Sequence, residues 1–377
     1  MEKKKRIRYY DYNLLFAVIM LFVIGLLMIY SSSQYNLMIA GKGSDYYFKR
    51  QAFIGLAGLI IAIIISNINY RIFKPLATPA YILSIVLLLA TLIMGLASHG
   101  AKRWLSIGGI SFQPTEASKL ALIVFLSALV VKLKSGINDP KNIRLVIALA
   151  AVPTLLILKE NLSSGIIMAG ITFGILFIAC RKIKWFIATG IAAVVALIAA
   201  KPLTVYCITK FSLQTPESYH LRRVFGWAMP DRYPNDAFQT LQGLYAMGSG
   251  GLTGKGLGES IQKFGYLPEA QNDMIFAIIC EELGFVGAGA IVCLFLFIVI
   301  RLFLIAVNSK DAFGFFLCTG ILAHISIQVI LNLAVVTAVI PNTGVTLPFI
   351  SYGGTAIAFT MIEIGIALSV SHGIRIE

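Results

Sequence analysis

The chain has 377 residues, 58% of them hydrophobic and only 13% charged, with a mean hydropathy of +0.86 and a formal net charge of +14. A soluble domain carries about 25% charged residues, so a water-soluble globular enzyme is excluded. The apolar runs are roughly 16–25 residues long, which fits helical spans and not the ~10-residue alternating segments of a membrane barrel.

The first basic stretch, Met1 to Arg6, precedes an apolar run from about Leu14 to Ser31 that lacks a small-residue cleavage site, so it reads as a retained first span. Spans are expected at about 12–32, 51–67, 76–98, 115–133, 145–158, 164–180, 185–201, 274–300, 312–339 and 353–371. The fifth and sixth are short and flanked by Pro153 and Gly165, so they read either as two spans or as one broken hairpin. The expected fold is an all-α polytopic membrane protein of about ten transmembrane helices, a single domain over 1–377, with one long extracytoplasmic loop at about 202–273 between spans seven and eight.

Basic residues gather between the spans. In a soluble protein they would point to nucleic acid; here they set orientation and meet anionic membrane lipid, and no nucleic-acid partner is expected. With the N-terminus inside, the inner segments hold 17 Lys and Arg against 6 in the short outer loops. Both termini are therefore expected on the cytoplasmic side. Cys180, Cys207, Cys280, Cys293 and Cys318 lie mostly in apolar runs without paired spacing, which argues against a disulfide framework or a zinc site.

Four stretches carry possible chemistry. In the first, Lys102-Arg103-Trp104 precedes Gln113-Pro114-Thr115-Glu116, a helix start, and Glu116 and Lys119 fall on one helix face. They read equally as a structural ion pair or, with Lys102 and Arg103, as contacts for an anionic substrate; Trp104 reads also as an interfacial anchor. The second is the short outer turn Lys159-Glu160-Asn161-Leu162-Ser163-Ser164, whose charges read as a solvated loop.

The third runs from Tyr245 to Gly287. Its glycines, with Gly254-Lys255-Gly256-Leu257-Gly258 among them, lack the ending of a phosphate-binding loop; they read either as a flexible linker or, given the aromatic and charged residues among them, as a structured loop. Asp273 follows at the water–membrane boundary, where partial desolvation improves a carboxylate as a general base. Glu281 lies about 12 Å further along a helix, and it and Glu282 are expected to pair inside the bundle, with His324 and Lys119 among possible partners. In the fourth, two prolines and three glycines between Pro341 and Gly354 break helical bonding, which fits a re-entrant turn lining a site. Glu363 is a further buried acid that needs a partner.

On these residues the chain resembles the SEDS family of bacterial wall proteins (RodA, FtsW, SpoVE), leaning towards the FtsW and SpoVE side. The match runs through Arg103-Trp104, Gln113 to Glu116 with Lys119, the SGGLTGKGLGES run with Gln262-Lys263, Tyr266-Leu267-Pro268-Glu269-Ala270 before Asp273, Glu281-Glu282, and Leu347 to Gly354 with Ser351. The resemblance implies a ten-helix peptidoglycan glycosyltransferase in the bacterial cytoplasmic membrane. Such an enzyme polymerises lipid II on the outer face beside a class B penicillin-binding protein that cross-links the strands. The family's essential acid falls on Asp273, and the glycine run before it is then expected to floor a sugar-binding groove. With the cations that an anionic leaving group calls for, the candidate substrate-binding set is Lys102, Arg103, Trp104, Glu116, Lys119, Arg222, Arg223, Lys263, Glu269 and Ser351. The family's acid at the fifth–sixth junction is replaced by Asn161. No cofactor motif is evident, and a divalent cation remains open as an aid to the pyrophosphate leaving group, with no ligand set assigned. A lipid-linked oligosaccharide flippase and a non-catalytic scaffold for a transpeptidase are the rival readings.

Overall fold

The computed structural model describes residues 9–374, apart from 40, 42, 99–100, 108–109, 159, 182, 212, 214–215 and 217. Among them, ten helices are long and apolar enough to cross a membrane. They are α1 (Tyr12–Ile39), α2 (Tyr46–Asn67), α3 (Phe73–Met94), α4 (Pro114–Leu133), α5 (Pro140–Leu158), α6 (Leu162–Ala179), α7 (Ile183–Lys210), α10 (Ile275–Val307), α11 (Ala312–Val336) and α12 (Gly354–His372). Two shorter helices, α8 (Tyr219–Ala228) and α9 (Pro234–Ser249), lie between α7 and α10. Strands β1 (Leu96–Ser98), β2 (Ala101–Ile107) and β3 (Ile110–Phe112) form a small antiparallel sheet in that order, with Leu96 opposite Trp104 and Leu105 opposite Phe112.

The core lies around α11 and α12, whereas α7 is unburied along its apolar window. The tightest helix pair is α2 with α12. A Cβ at Gly365 would stand 2.7 Å from the Ala62 carbonyl oxygen, so only glycine allows this approach. Without a hydrophobic drive between helices in lipid, such close backbone contact supplies the packing attraction.

The boundaries differ from the sequence reading where local chemistry is overridden. Helix α7 does not stop at Lys201-Pro202 but continues to Lys210 with Pro202 inside it, a lost backbone bond that a transmembrane helix tolerates. The segment between α7 and α10 is therefore shorter than the loop expected at 202–273 and carries α8 and α9. Helix α3 ends at Met94, before the span expected to 98, because Leu96–Ser98 pairs as a strand with β2. Helices α5 and α6 are two separate spans joined by a tight turn in which the Asn161 N–H donates to the Ile157 carbonyl at 2.7 Å.

Helix α10 is broken at Gly284, where φ is 67° and ψ is −170°. The glycine-rich loop supplies the backbone bonds lost there. Phe285 N donates to Gly251 O at 2.9 Å and Val286 N to Leu252 O at 3.1 Å; Lys255 N and Gly256 N donate to the Glu281 and Glu282 carbonyls, each at 3.0 Å. A side chain at 284 would put a Cβ 2.2 Å from the Gly254 nitrogen. Irregular backbone at membrane depth is stable only when protein satisfies it, and this loop does so.

Candidate active site

One end of the bundle opens into a cavity of about 710 Å³. Several helices begin at this end. Pro114 starts α4, with Glu116 in its first turn. Asn161 caps α6 by accepting from Ser164 N at 3.2 Å. Gly353 and Gly354 open α12 without a side-chain cap. The cavity wall includes the first turns of all three. The segment between α11 and α12 also reaches the wall at Gly344, Val345 and Thr346. Gln51 of α2 holds its far end, donating to Ser351 O at 3.1 Å and accepting from Gly353 N at 3.2 Å.

Asp273 lies in this wall, 5% exposed. Its stretch of backbone is pinned at three successive carbonyls. Tyr352 N donates to Gln271 O at 2.9 Å, Ser351 Oγ to Asn272 O at 2.7 Å and Asn332 Nδ2 to Asp273 O at 2.8 Å. Gln239 Nε2 of α9 reaches Asp273 Oδ1 at 3.4 Å. Burial, reinforced by the neighbouring Glu269 carboxylate and offset by the Arg223 guanidinium, pushes the Asp273 carboxyl up to about 7. Glu269 holds a left-handed backbone, φ 55°, and its carboxylate accepts from Asn272 Nδ2.

Cations line the same cavity. Lys119, with its side chain 1% exposed, pairs with Glu116 at 2.8 Å and donates to Gln328 Oε1 at 3.2 Å. Arg103 on β2 donates from Nε to the Glu160 carbonyl at 2.7 Å, tying the sheet to the α5–α6 turn beside Trp104. Arg223 on α8 donates to the Asn342 carbonyl at 3.3 Å. Helix α8 is itself anchored by Trp227, whose indole N–H donates to Ala338 O at 2.8 Å. The structure thus brings Arg103, Trp104, Glu116, Lys119, Arg223, Glu269 and Asp273 to one cavity.

Three of the sequence candidates lie elsewhere. Arg222 points away from its neighbour Arg223 and pairs with Asp236 at 2.9 Å. Lys263 is buried, bonded to Glu282 at 3.1 Å and to Ser31 Oγ at 3.0 Å, because an acid buried in the bundle demands a cation. Ser351 serves the backbone, accepting from Leu347 N at 2.7 Å besides its bond to Asn272 O. The Lys102 backbone belongs to β2, but its side chain lies outside the described residues.

The glycine run does not floor the cavity; it packs on α10. The partners of the buried acids also differ from those expected. Glu281 accepts from Lys255 Nζ at 2.6 Å, Ser260 Oγ at 2.5 Å and Ile261 N at 3.1 Å, so it organises the loop and not the bundle. Glu282 accepts from Ser31 of α1 at 2.6 Å as well as from Lys263. His324 goes to Glu363 at 2.7 Å, and Lys119 to Glu116.

Sequence reasoning passed over Gln239, Gln328 and Asn332. The last two carried a usable signal: amides four residues apart on an otherwise apolar helix share a face and need partners. Gln239 carried none, since a polar residue on a loop helix is ordinary.

The chain matches the profile of a family described as cell cycle protein, which groups FtsW, RodA and SpoVE, over residues 12–376. It is 33% identical over 383 residues to the probable peptidoglycan glycosyltransferase FtsW of Trichlorobacter lovleyi, covering 100% of this chain and 97% of that one. It is 34% identical over 371 residues to the stage V sporulation protein E of Bacillus subtilis, covering 96% and 97%. Its fold is similar, with a TM-score of 0.72 and 25% identity over 96% of this chain and 97% of the other, to a chain from a peptidoglycan synthase complex solved for its coordination of polymerization and crosslinking. Thermus thermophilus RodA shares the fold at a TM-score of 0.68 and 23% identity, covering 96% of each chain. The chain belongs to the FtsW, RodA and SpoVE family of cell cycle proteins.

Proposed function

We propose that this chain is an inverting glycosyltransferase that polymerises lipid II into peptidoglycan strands, with Asp273 as its general base. The observation that carries the assignment is the buried Asp273 carboxylate in a cation-lined cavity, its proton affinity raised to about 7. A base whose pKa lies near the working pH is both deprotonated and able to take a proton. Asp273 removes the proton from the acceptor sugar's 4-hydroxyl as that oxygen attacks the donor's anomeric carbon. The new glycosidic bond forms on the face opposite the leaving group, the bond from that carbon to the lipid pyrophosphate breaks, and the electron pair leaves on the pyrophosphate.

The leaving group gains negative charge, and preorganised cations stabilise it. Arg103, Lys119 and Arg223 line the cavity for that task, and the first turn of α12 adds N–H groups and the positive end of a helix dipole. Among the described residues no group of three or more His, Cys, Asp or Glu side chains is placed to hold a metal ion. A divalent cation would accordingly enter with the pyrophosphate, which brings oxygen ligands of its own.

Both termini lie in the cytoplasm in this reading, supported by the basic bias of the inner segments. The cavity then faces outward, where the sugars meet it while the lipid tails lie along the bundle. The kinship with a chain from a synthase complex that couples polymerization to crosslinking supports a class B penicillin-binding protein as partner. Purified protein given lipid II should build glycan strands, and Asp273→Asn should lose about 10²–10⁴ in rate while folding normally. Normal polymerisation by Asp273→Asn would sink the assignment, and lipid II crossing proteoliposomes without any polymer would favour a flippase.

A further inference from the structure

Helix α11 carries Thr319, His324, Ser326, Gln328 and Asn332 in an otherwise apolar run, and the last two, of which Gln328 lines the cavity, have no role in the chemistry above. Gln328 and Asn332 are one helical turn apart, 3% and 0% exposed. Gln328 donates from Nε2 to Thr346 O at 3.0 Å and accepts from Lys119 Nζ at 3.2 Å. Asn332 donates from Nδ2 to Val345 O at 2.7 Å and to Asp273 O at 2.8 Å. Two carbonyl acceptors require the two N–H bonds of its amide nitrogen, so the orientation of the Asn332 amide follows from its partners. The two residues therefore grip adjacent carbonyls of one segment, and each spends its other bond on a different side of the cavity.

We propose that Gln328 and Asn332 are positioning residues: through the Val345 and Thr346 carbonyls they hold the Lys119 ammonium and the Asp273 backbone in fixed register across the cavity. The proposal rests on the glycosyltransferase reading, in which Lys119 meets the pyrophosphate and Asp273 the acceptor hydroxyl. Buried amides on a transmembrane helix are costly, and leucine or methionine would fill the same space without polar demands. Both amides spend every bond named above on groups that line or carry the cavity wall. A displacement of about 1 Å in a reacting group costs on the order of 10²-fold in rate, which is the scale on which such a register matters.

The two arms have different kinetic signatures. Gln328→Met loosens the ammonium that binds the anionic part of the substrate and stabilises the leaving pyrophosphate, so KM for lipid II rises and kcat falls together, with kcat/KM dropping on the order of tenfold. Asn332→Leu frees the Asp273 backbone, so kcat falls on the order of 10²-fold with KM nearly kept. Asn332→Gln keeps both donors and retains more activity than Asn332→Leu, although leucine shares asparagine's branched shape; a packing role gives the reverse order.

Two readouts need no turnover. One is the pH midpoint for carbodiimide labelling of Asp273, followed by mass spectrometry, which moves to lower pH in Asn332→Leu as the carboxyl gains solvent. The other is affinity for undecaprenyl pyrophosphate, which Gln328→Met weakens and Asn332→Leu leaves alone. Unchanged labelling and affinity in folded variants, or a fall in kcat that merely tracks the loss of folded protein, would overturn the proposal. If Asn332→Leu does not fold, Gln328→Met and Asn332→Gln decide by the same measurements. A wild-type protein that makes no polymer yet shows both shifts would count against the glycosyltransferase reading alone.

Discussion

Glu116 Oε2 and Lys119 Nζ lie 2.8 Å apart, a turn apart on α4, with their side chains 8% and 1% exposed. Neither charge would be stable there alone, because desolvating an unpaired ion costs more than a single bond returns. Lys119→Ala should therefore lower the unfolding free energy by about 3–5 kcal/mol, and the double change Glu116→Gln with Lys119→Met by much less. Thermal unfolding of the two proteins in detergent separates these outcomes; equal losses would mean that the pair contributes only packing.

The raised Asp273 carboxyl links activity and stability to pH with opposite signs. With Asp273 as the proposed base, catalysis needs its carboxylate, so the rate should fall as pH drops through about 7. For stability the folded pKa lies above the unfolded value of 3.8. Between the two, the native chain keeps a proton that the unfolded chain has lost, and stability declines as pH rises through that window. Glu269→Gln removes a repelling carboxylate and should move the acidic limb of the rate profile to lower pH; Arg223→Gln removes an attracting cation and should move it higher. A pH–rate profile for each variant checks the directions.

Ser351 links the approach to α12 with the backbone just before Asp273. Ser351→Ala leaves the Asn272 carbonyl and the Leu347 N–H without that partner and should cost about 1–3 kcal/mol. A loss of rate larger than the loss of folded protein is expected, read by comparing specific activity with the melting temperature.

Gly284→Ala would force a Cβ to 2.2 Å from the Gly254 nitrogen at a backbone φ of 67°. The loop has to give way, at about 1–3 kcal/mol for the backbone conformation alone. Limited proteolysis at Lys255 should accelerate in this variant; an unchanged digestion pattern would show that the loop is held by its ion pairs and not by the glycine contact.

Much of the architecture is legible in one dimension because lipid imposes a length and a polarity on each span. The Glu116–Lys119 pair is legible for the same reason, since partners three residues apart are set by helix geometry. Asp273 announces itself as an acid at a boundary. Partners distant in sequence do not: nothing local joins His324 to Glu363 or Glu282 to Ser31, 251 residues away. The loop is opaque in another way. Polar, glycine-rich composition reads as a groove or a linker, and only the break in α10 gives those glycines a surface to fit.

That break also bears on how the chain is made. Residues 281–286 enter the bilayer with backbone groups that their own helix cannot pair, and their partners at 251–256 lie 26 to 34 residues upstream. Those partners have already been synthesised when α10 emerges, and so short a closure costs little chain entropy. The partners that satisfy the break are thus on hand in the chain before the segment that needs them is complete. A ribosome-bound chain truncated soon after α10 already contains both sides of the joint, before the helices that complete the cavity exist.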